Sequence, residues 1–186
     1  MKEIARPAVV LLIITAVAAM LLGIVSETTK EAIAAQSAKT EAEAMAAVMP
    51  DDGVEFEAIL DVANGDTIEG TIKKVAKATK GGETIGYVLT TAPSGFGGEV
   101  STMVGVDMDG VVTGLRVLSH SETPGLGALS TSPDFYEQFA GKSGNIQVTK
   151  DGGEIVPITS ATITSRAVSD GANEAVQWVQ ANGGAN

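Results

Sequence analysis

Residues 7–26 read PAVVLLIITAVAAMLLGIVS, twenty positions without a charged side chain. At a rise of about 1.5 Å per residue, a helix of this length covers the roughly 30 Å hydrocarbon core of a bilayer. No other segment narrows the possible folds so far, and it is predicted to be a transmembrane helix. The apolar region of a cleavable signal peptide is shorter, about 7–15 residues. Small-residue sites such as AIAAQSA do follow, but inside a helical pattern, so the run is read as an uncleaved anchor. Lys2 and Arg6 precede it, while Lys30 lies just past its far end. The positive-inside tendency then leaves residues 1–6 in the cytoplasm and residues 27 onward outside it. That outer part carries 10 basic and 22 acidic residues.

Residues 27–50 begin ETTKEAIAAQSAKTEAEAMAAVM, rich in Ala and Glu and free of Gly until Pro50 stops the pattern. They are predicted to form a helix, either a stalk leaving the membrane or the first helix of a domain packed on its sheet; the two are compatible. From residue 51 to 186 the texture changes to short strands and turns. TIKKVAKATKGGETIGYVLTT predicts two strands around Lys80-Gly81-Gly82-Glu83, and EVSTMVGVDMDGVVTGLRVLSH two more around Asp107-Met108-Asp109-Gly110. SPDFYEQFAGK predicts a short helix with Ser132 as cap and Phe135 and Phe139 on one face. NIQVTKDGGEIVPI predicts a third hairpin, turning at Asp151-Gly152-Gly153. In SRAVSDGANEAVQWVQAN, residues Val168, Ala172, Ala175, Val176 and Val179 recur at helical spacing. Strands in runs with helices at the ends imply an α+β fold, a domain with an antiparallel sheet and flanking helices behind a single N-terminal span.

Composition removes several functions. With no cysteine there are no disulfides, thiolate metal sites, iron–sulfur ligands or thiol nucleophile, and a single histidine, His120, cannot build a multi-histidine metal site. A net charge of -11 without a basic stripe opposes nucleic-acid binding. The chain has no G-x-S-x-G elbow, Walker A sequence or dinucleotide fingerprint, so no catalytic residue is assigned. Asp107 and Asp109 beside Gly110 read as turn chemistry rather than a calcium loop, whose other oxygen ligands are absent. No metal ligand is assigned.

Two stretches remain. The first is GFGGEVSTMVGVD, leading to SHSETPGLGALS; within it Glu122-Thr123-Pro124-Gly125-Leu126-Gly127 follows a strand, and its glycines would let backbone approach a flat ligand while Leu126 covers a face. Such clusters are also common as plain surface turns. Further on, VPITSATITSRAV carries five hydroxyls before a helical pattern. Thr164 or Ser165 could cap that helix. Thr159, Ser160 and Thr162 are then left over, and with the helix amides they could complete an anion pocket without any Lys or Arg. Capping and strand-face hydroxyls remain the alternative at this level.

SHSETPGLGA, followed some thirty residues later by PITSATITSRAV, resembles the FMN-binding domain of the G subunit of Rnf complexes, a relative of the C subunit of sodium-translocating NADH:quinone oxidoreductase. The resemblance covers nearly the whole chain. It implies an electron-relay subunit of a membrane-bound, ion-translocating ferredoxin:NAD oxidoreductase, partnered by the other membrane subunits. It further implies an FMN joined through its phosphate to a threonine hydroxyl by a separate flavin transferase. The family's attachment pattern is Ser or Thr, then Gly, Ala and Thr, with the last residue modified. Here it reads Thr159-Ser160-Ala161-Thr162, with Ser in place of Gly, so Thr162 is the implied attachment residue. Thr159, Ser160, Ala161 and Thr164 would surround the phosphate, and Glu122, Thr123, Pro124, Gly125, Leu126 and Gly127 would line the flavin. The alternative reading is a non-redox, membrane-anchored module that binds a phosphate-bearing ligand or a partner protein.

Overall fold

The computed structural model describes residues 2–183. Met1 and residues 184–186 lie outside the described residues, as do the side chains of residues 2–6, 8 and 31, so Lys2 and Arg6, on which the expected orientation rests, are placed by backbone alone. The chain divides into two compact units, Met1–Thr40 and Glu41–Asn186.

The first unit is one helix, the greater part of α1 (Lys2–Val48). From Val9 on, it is long and apolar enough to cross a membrane. Leu12 and Leu22 are about 70% exposed, so this unit offers them no partner. The hydroxyls of Thr15, Thr28 and Thr29 donate to backbone carbonyls four residues back, at 2.8–3.1 Å. That internal bonding lets a threonine lie in an environment without water.

The second unit is an antiparallel meander, β1 (Val54–Asp61), β2 (Ile72–Lys80), β3 (Glu83–Thr91), β4 (Ser101–Asp107) and β5 (Val112–Ser119), with the strands in sequential order. β1 is a strand that the sequence pattern does not announce. It pairs only with β2, and Glu55 and Glu57 keep its outer side polar, as an edge strand requires. Gly81 and Gly82, with φ of 61° and 87°, close the β2–β3 hairpin. Between β4 and β5, Asp107 Oδ1 accepts the Asp109 and Val111 N–H groups at 3.0 and 2.9 Å, which is the turn chemistry expected there.

Alternation sorts the strands into two faces. Tyr87, Leu89, Val104 and Leu115 face a core closed by Val168, Ala172, Val176 and Val179 of α3 (Thr162–Asn182). Val88, Met103 and Ala78 face the end of α1, through Ala44 and Val48, and Met49 just after it. The paired glycines Gly105 and Gly114 make that second contact possible: a Cβ on Gly105 would lie 2.3 Å from the Val48 carbonyl oxygen. The C-terminal end of α1 is thus a helix packed on the sheet.

Two elements differ from expectation. The helix after Ser132 is a single turn, α2 (Pro133–Tyr136), continued as a 3-10 turn; Ser132 occupies the cap position but its hydroxyl makes no cap bond. Phe135 and Phe139 do pack together, edge to face at 5.5 Å. The predicted third hairpin is instead a loop with one isolated bridge, Val148 to Ile155, around a 3-10 turn at Thr149–Asp151. A side chain has taken the place of a partner strand: Asn173 of α3 accepts from Ile146 N–H and donates to its carbonyl, both at 2.6 Å.

Candidate functional site

Three segments far apart in sequence meet around one carboxylate. Glu122 follows β5 and is 7% exposed. Its Oε1 accepts the N–H groups of Phe96 and Gly97 at 2.8 and 3.0 Å, and its Oε2 accepts the Thr164 hydroxyl at 2.7 Å. One side chain therefore ties the GFGG loop (95–98) to the ETPGLG loop (122–127) and to the first turn of α3. Burial by itself would raise the carboxyl pKa. The bonds from Gly97, Thr164 and Phe96 outweigh it and hold Glu122 below the ordinary carboxylate range, ionised at neutral pH. Its own N–H donates to His120 Nδ1 at 3.2 Å.

The close approach depends on missing side chains. A Cβ on Gly127 would lie 2.3 Å from Glu122 Oε2 and 2.6 Å from Thr164 Oγ1, and one on Gly97 would lie 2.1 Å from the Ser121 carbonyl oxygen. Gly125 is different: the space around it is open, and it serves through a φ of 75°.

A cleft of about 330 Å³ opens beside this junction. Glu122, Thr123, Leu126 and Gly127 line it from one loop, and Ser160, Ala161, Thr162 and Thr164 from the segment entering α3. Phe96 and Ile163 also line it; Phe96 lies in the GFGGEVSTMVGVD stretch that leads to the ETPGLG loop, but the sequence assigns neither residue to the site. The available signal was an aromatic flanked by glycines, and Phe96 is indeed 73% exposed. Thr159 and Gly125 line a neighbouring cleft of about 500 Å³, which shares Leu126 and Ser160 with the first; Pro124 lines neither.

The hydroxyls divide their roles differently from the capping expectation. α3 starts at Thr162 with Ala161 in the cap position and no side-chain cap bond. Thr164 serves Glu122, and Ser165 accepts from Ile158 N–H and donates to the Ala161 carbonyl, both at 3.0 Å. Those two bonds fix the turn that presents Thr162. The Thr162 hydroxyl is partly exposed and accepts from Lys150 Nζ at 2.8 Å. The expectation of an anion pocket without any lysine is thus corrected: the turn at Thr149–Asp151, where a hairpin is predicted, brings one in.

Ser160 has a φ of 62°, alone among the described non-glycine residues in being positive. This left-handed conformation costs a residue with a Cβ about 1–2 kcal/mol, a cost that glycine does not carry. Thermal unfolding should rank Ser160→Gly at or above the native chain and Ser160→Val below it, by about 1 kcal/mol or more. A valine variant as stable as the native chain would show that the turn is not held left-handed.

The FMN-binding domain family matches residues 95–177, which include both loops and most of α3. The G subunit of the ion-translocating oxidoreductase complex of Methanosarcina acetivorans is 34% identical over 98% of both chains. The G subunit of the Na(+)-translocating ferredoxin:NAD(+) oxidoreductase complex of Acetobacterium woodii is 36% identical over 96% of this chain and 93% of its own. Among solved structures, NqrC of Shewanella oneidensis superposes with a TM-score of 0.52 at 18% identity, over 70% of this chain and 86% of that one, a likeness of fold. With full-length relatives above 30% identity, and a domain match that falls on the cleft, this chain belongs to the family of G subunits of ion-translocating oxidoreductase complexes.

Proposed function

We propose that the chain is a single-pass electron-relay subunit whose cleft holds an FMN, esterified through its phosphate to Thr162. The observation that carries this reading is the junction itself. A threonine hydroxyl at the start of α3 and a glycine-rich loop some forty residues earlier line one cleft. When bound, FMN supplies the electron-transfer chemistry. The chain's residues bind and orient it. Gly127 lets Glu122 and Thr164 close up the wall of the cleft, Leu126 and Ile163 offer apolar surface, and the start of α3 would meet the phosphate end.

The donor set fits such a group. Attachment forms a bond from Thr162 Oγ1 to phosphorus and breaks the phosphorus–oxygen bond to a leaving group, which a flavin dinucleotide provides as a nucleotide. The hydroxyl proton must pass to a base. Lys150 donates to Thr162 and cannot be that base. On this reading, as the resemblance implies, the base belongs to a separate flavin transferase, and the chain is its substrate. Intact mass of the full chain co-expressed with a transferase tests this directly. A mass increase of one esterified FMN is expected, and an unmodified mass in a yellow sample would replace the covalent reading with a dissociable one.

Orientation follows from Lys2 and Arg6, before the apolar run. On this reading residues 27 onward lie outside the cytoplasm, where no free FMN pool refills an empty site and a covalent tether prevents loss. A reporter active only outside the cytoplasm, fused after Asn186, should be active. An inactive one, beside an active cytoplasmic reporter, would reverse the orientation.

A further inference from the structure

Lys150 reaches the Thr162 hydroxyl from a turn that is itself pinned to α3. Arg166 Nε and Nη2 donate to Asp151 Oδ2 and Oδ1 at 2.6 and 2.7 Å, a two-pronged pair that binds the turn at Thr149–Asp151 to the helix one turn beyond Thr162. Each partner stabilises the other's charge. The bond from Arg166 holds the Asp151 carboxyl below its ordinary range, and Asp151 raises the Arg166 pKa in return. Arg166 takes both oxygens of Asp151, the acid next to Lys150 in sequence. The Lys150 ammonium is left to point at Thr162 Oγ1, 2.8 Å away.

Resting on the proposed attachment at Thr162, we propose that Lys150 is the counter-cation of the Thr162 phosphodiester, held in place by the Asp151–Arg166 pair. The phosphorus is one bond from Oγ1, so its charged oxygens come within reach of an ammonium that already contacts Oγ1. The residues from 27 onward hold 22 acids against 10 bases, and Glu122 keeps its charge in the same cleft. A further negative charge is unfavourable in that field unless a cation meets it locally. The helix amides contribute partial charge, and Lys150 contributes a full one. Lys150 and Arg166 are positioning residues here; neither touches reacting atoms of the flavin ring.

The test uses the full chain in detergent, co-expressed with a flavin transferase, and compares thermal unfolding of flavinylated protein with that of Thr162→Ala protein. Lys150→Met should lower the melting temperature of the flavinylated form by about 2–4 °C more than that of the Thr162→Ala form. Lys150→Arg should restore most of the difference. Arg166→Gln should reproduce part of it, since the turn is then unpinned. If Lys150→Met takes up no flavin while Lys150→Arg does, the charge is needed at the phosphate during attachment, which also supports the proposal. Equal shifts in both forms, or none, would overturn it while leaving attachment intact. A native chain without the mass of an esterified flavin would overturn both.

Discussion

Thr162→Ala is expected to abolish flavin fluorescence of the chain in a denaturing gel while leaving the domain folded. The expectation of an intact fold comes from what Thr162 does not do. It is the first residue of α3, it makes no cap bond, and its hydroxyl contacts Lys150 at the surface. Alanine is the best helix former, and an exposed hydrogen bond contributes at most about 1 kcal/mol. Loss of fluorescence therefore reports loss of attachment and not unfolding. Thr164→Ala is the matched control. Thr164 is buried, and its hydroxyl donates to Glu122 Oε2, so it is unavailable for esterification. Its removal leaves a buried carboxylate short of a donor, at a cost of about 1–3 kcal/mol, yet the in-gel fluorescence should persist. Fluorescence that survives Thr162→Ala and disappears with Thr164→Ala would move the attachment site and invalidate the assignment of roles within the cleft.

Gly127→Ala should damage the site more than any other single methyl group added to the ETPGLG loop. The new Cβ would lie 2.3 Å from Glu122 Oε2, and the carboxylate has no free direction to move, because Phe96, Gly97 and Thr164 all hold it. Overpacking of this kind costs typically about 1–3 kcal/mol. The three segments joined at Glu122 should loosen together, which would be seen as a lower melting temperature and a changed visible flavin spectrum in the folded protein. Gly125→Ala meets no neighbouring atom and is strained only through its φ of 75°, so it should leave the spectrum close to native. If the two variants give the same spectrum, Glu122 is not the junction on which the cleft depends.

Much of this protein was legible from local patterns. The uncharged run at 7–26 determined a helix suited to a bilayer, because length and lack of charge suffice for that. The Gly81-Gly82 and Asp107 turns determined two hairpins, and the spacing of Val168, Ala172, Val176 and Val179 determined a helix face. Those signals reside in a few consecutive residues, where propensity and period act without the rest of the chain. The ETPGLG and TSAT stretches marked two site segments in the same way, through residue types with special backbone and hydroxyl chemistry.

What the tertiary structure decided are the pairings between distant residues. Where the sequence predicts a hairpin there is a loop, and within it Ile146 bonds to the Asn173 side chain of α3. That loop carries Lys150 to Thr162, a contact no spacing rule connects. Glu122 gained its place at the junction, and a pKa below the ordinary carboxylate range, because two amides and a hydroxyl from other segments converge on it. Ser160 adopts a left-handed φ because Ser165 and Ile158 fix the turn around it, although its own propensity opposes that conformation. Local sequence sets which conformations cost little; burial and hydrogen bonding across the fold decide which costs are accepted, and in this chain those accepted costs lie at the cleft.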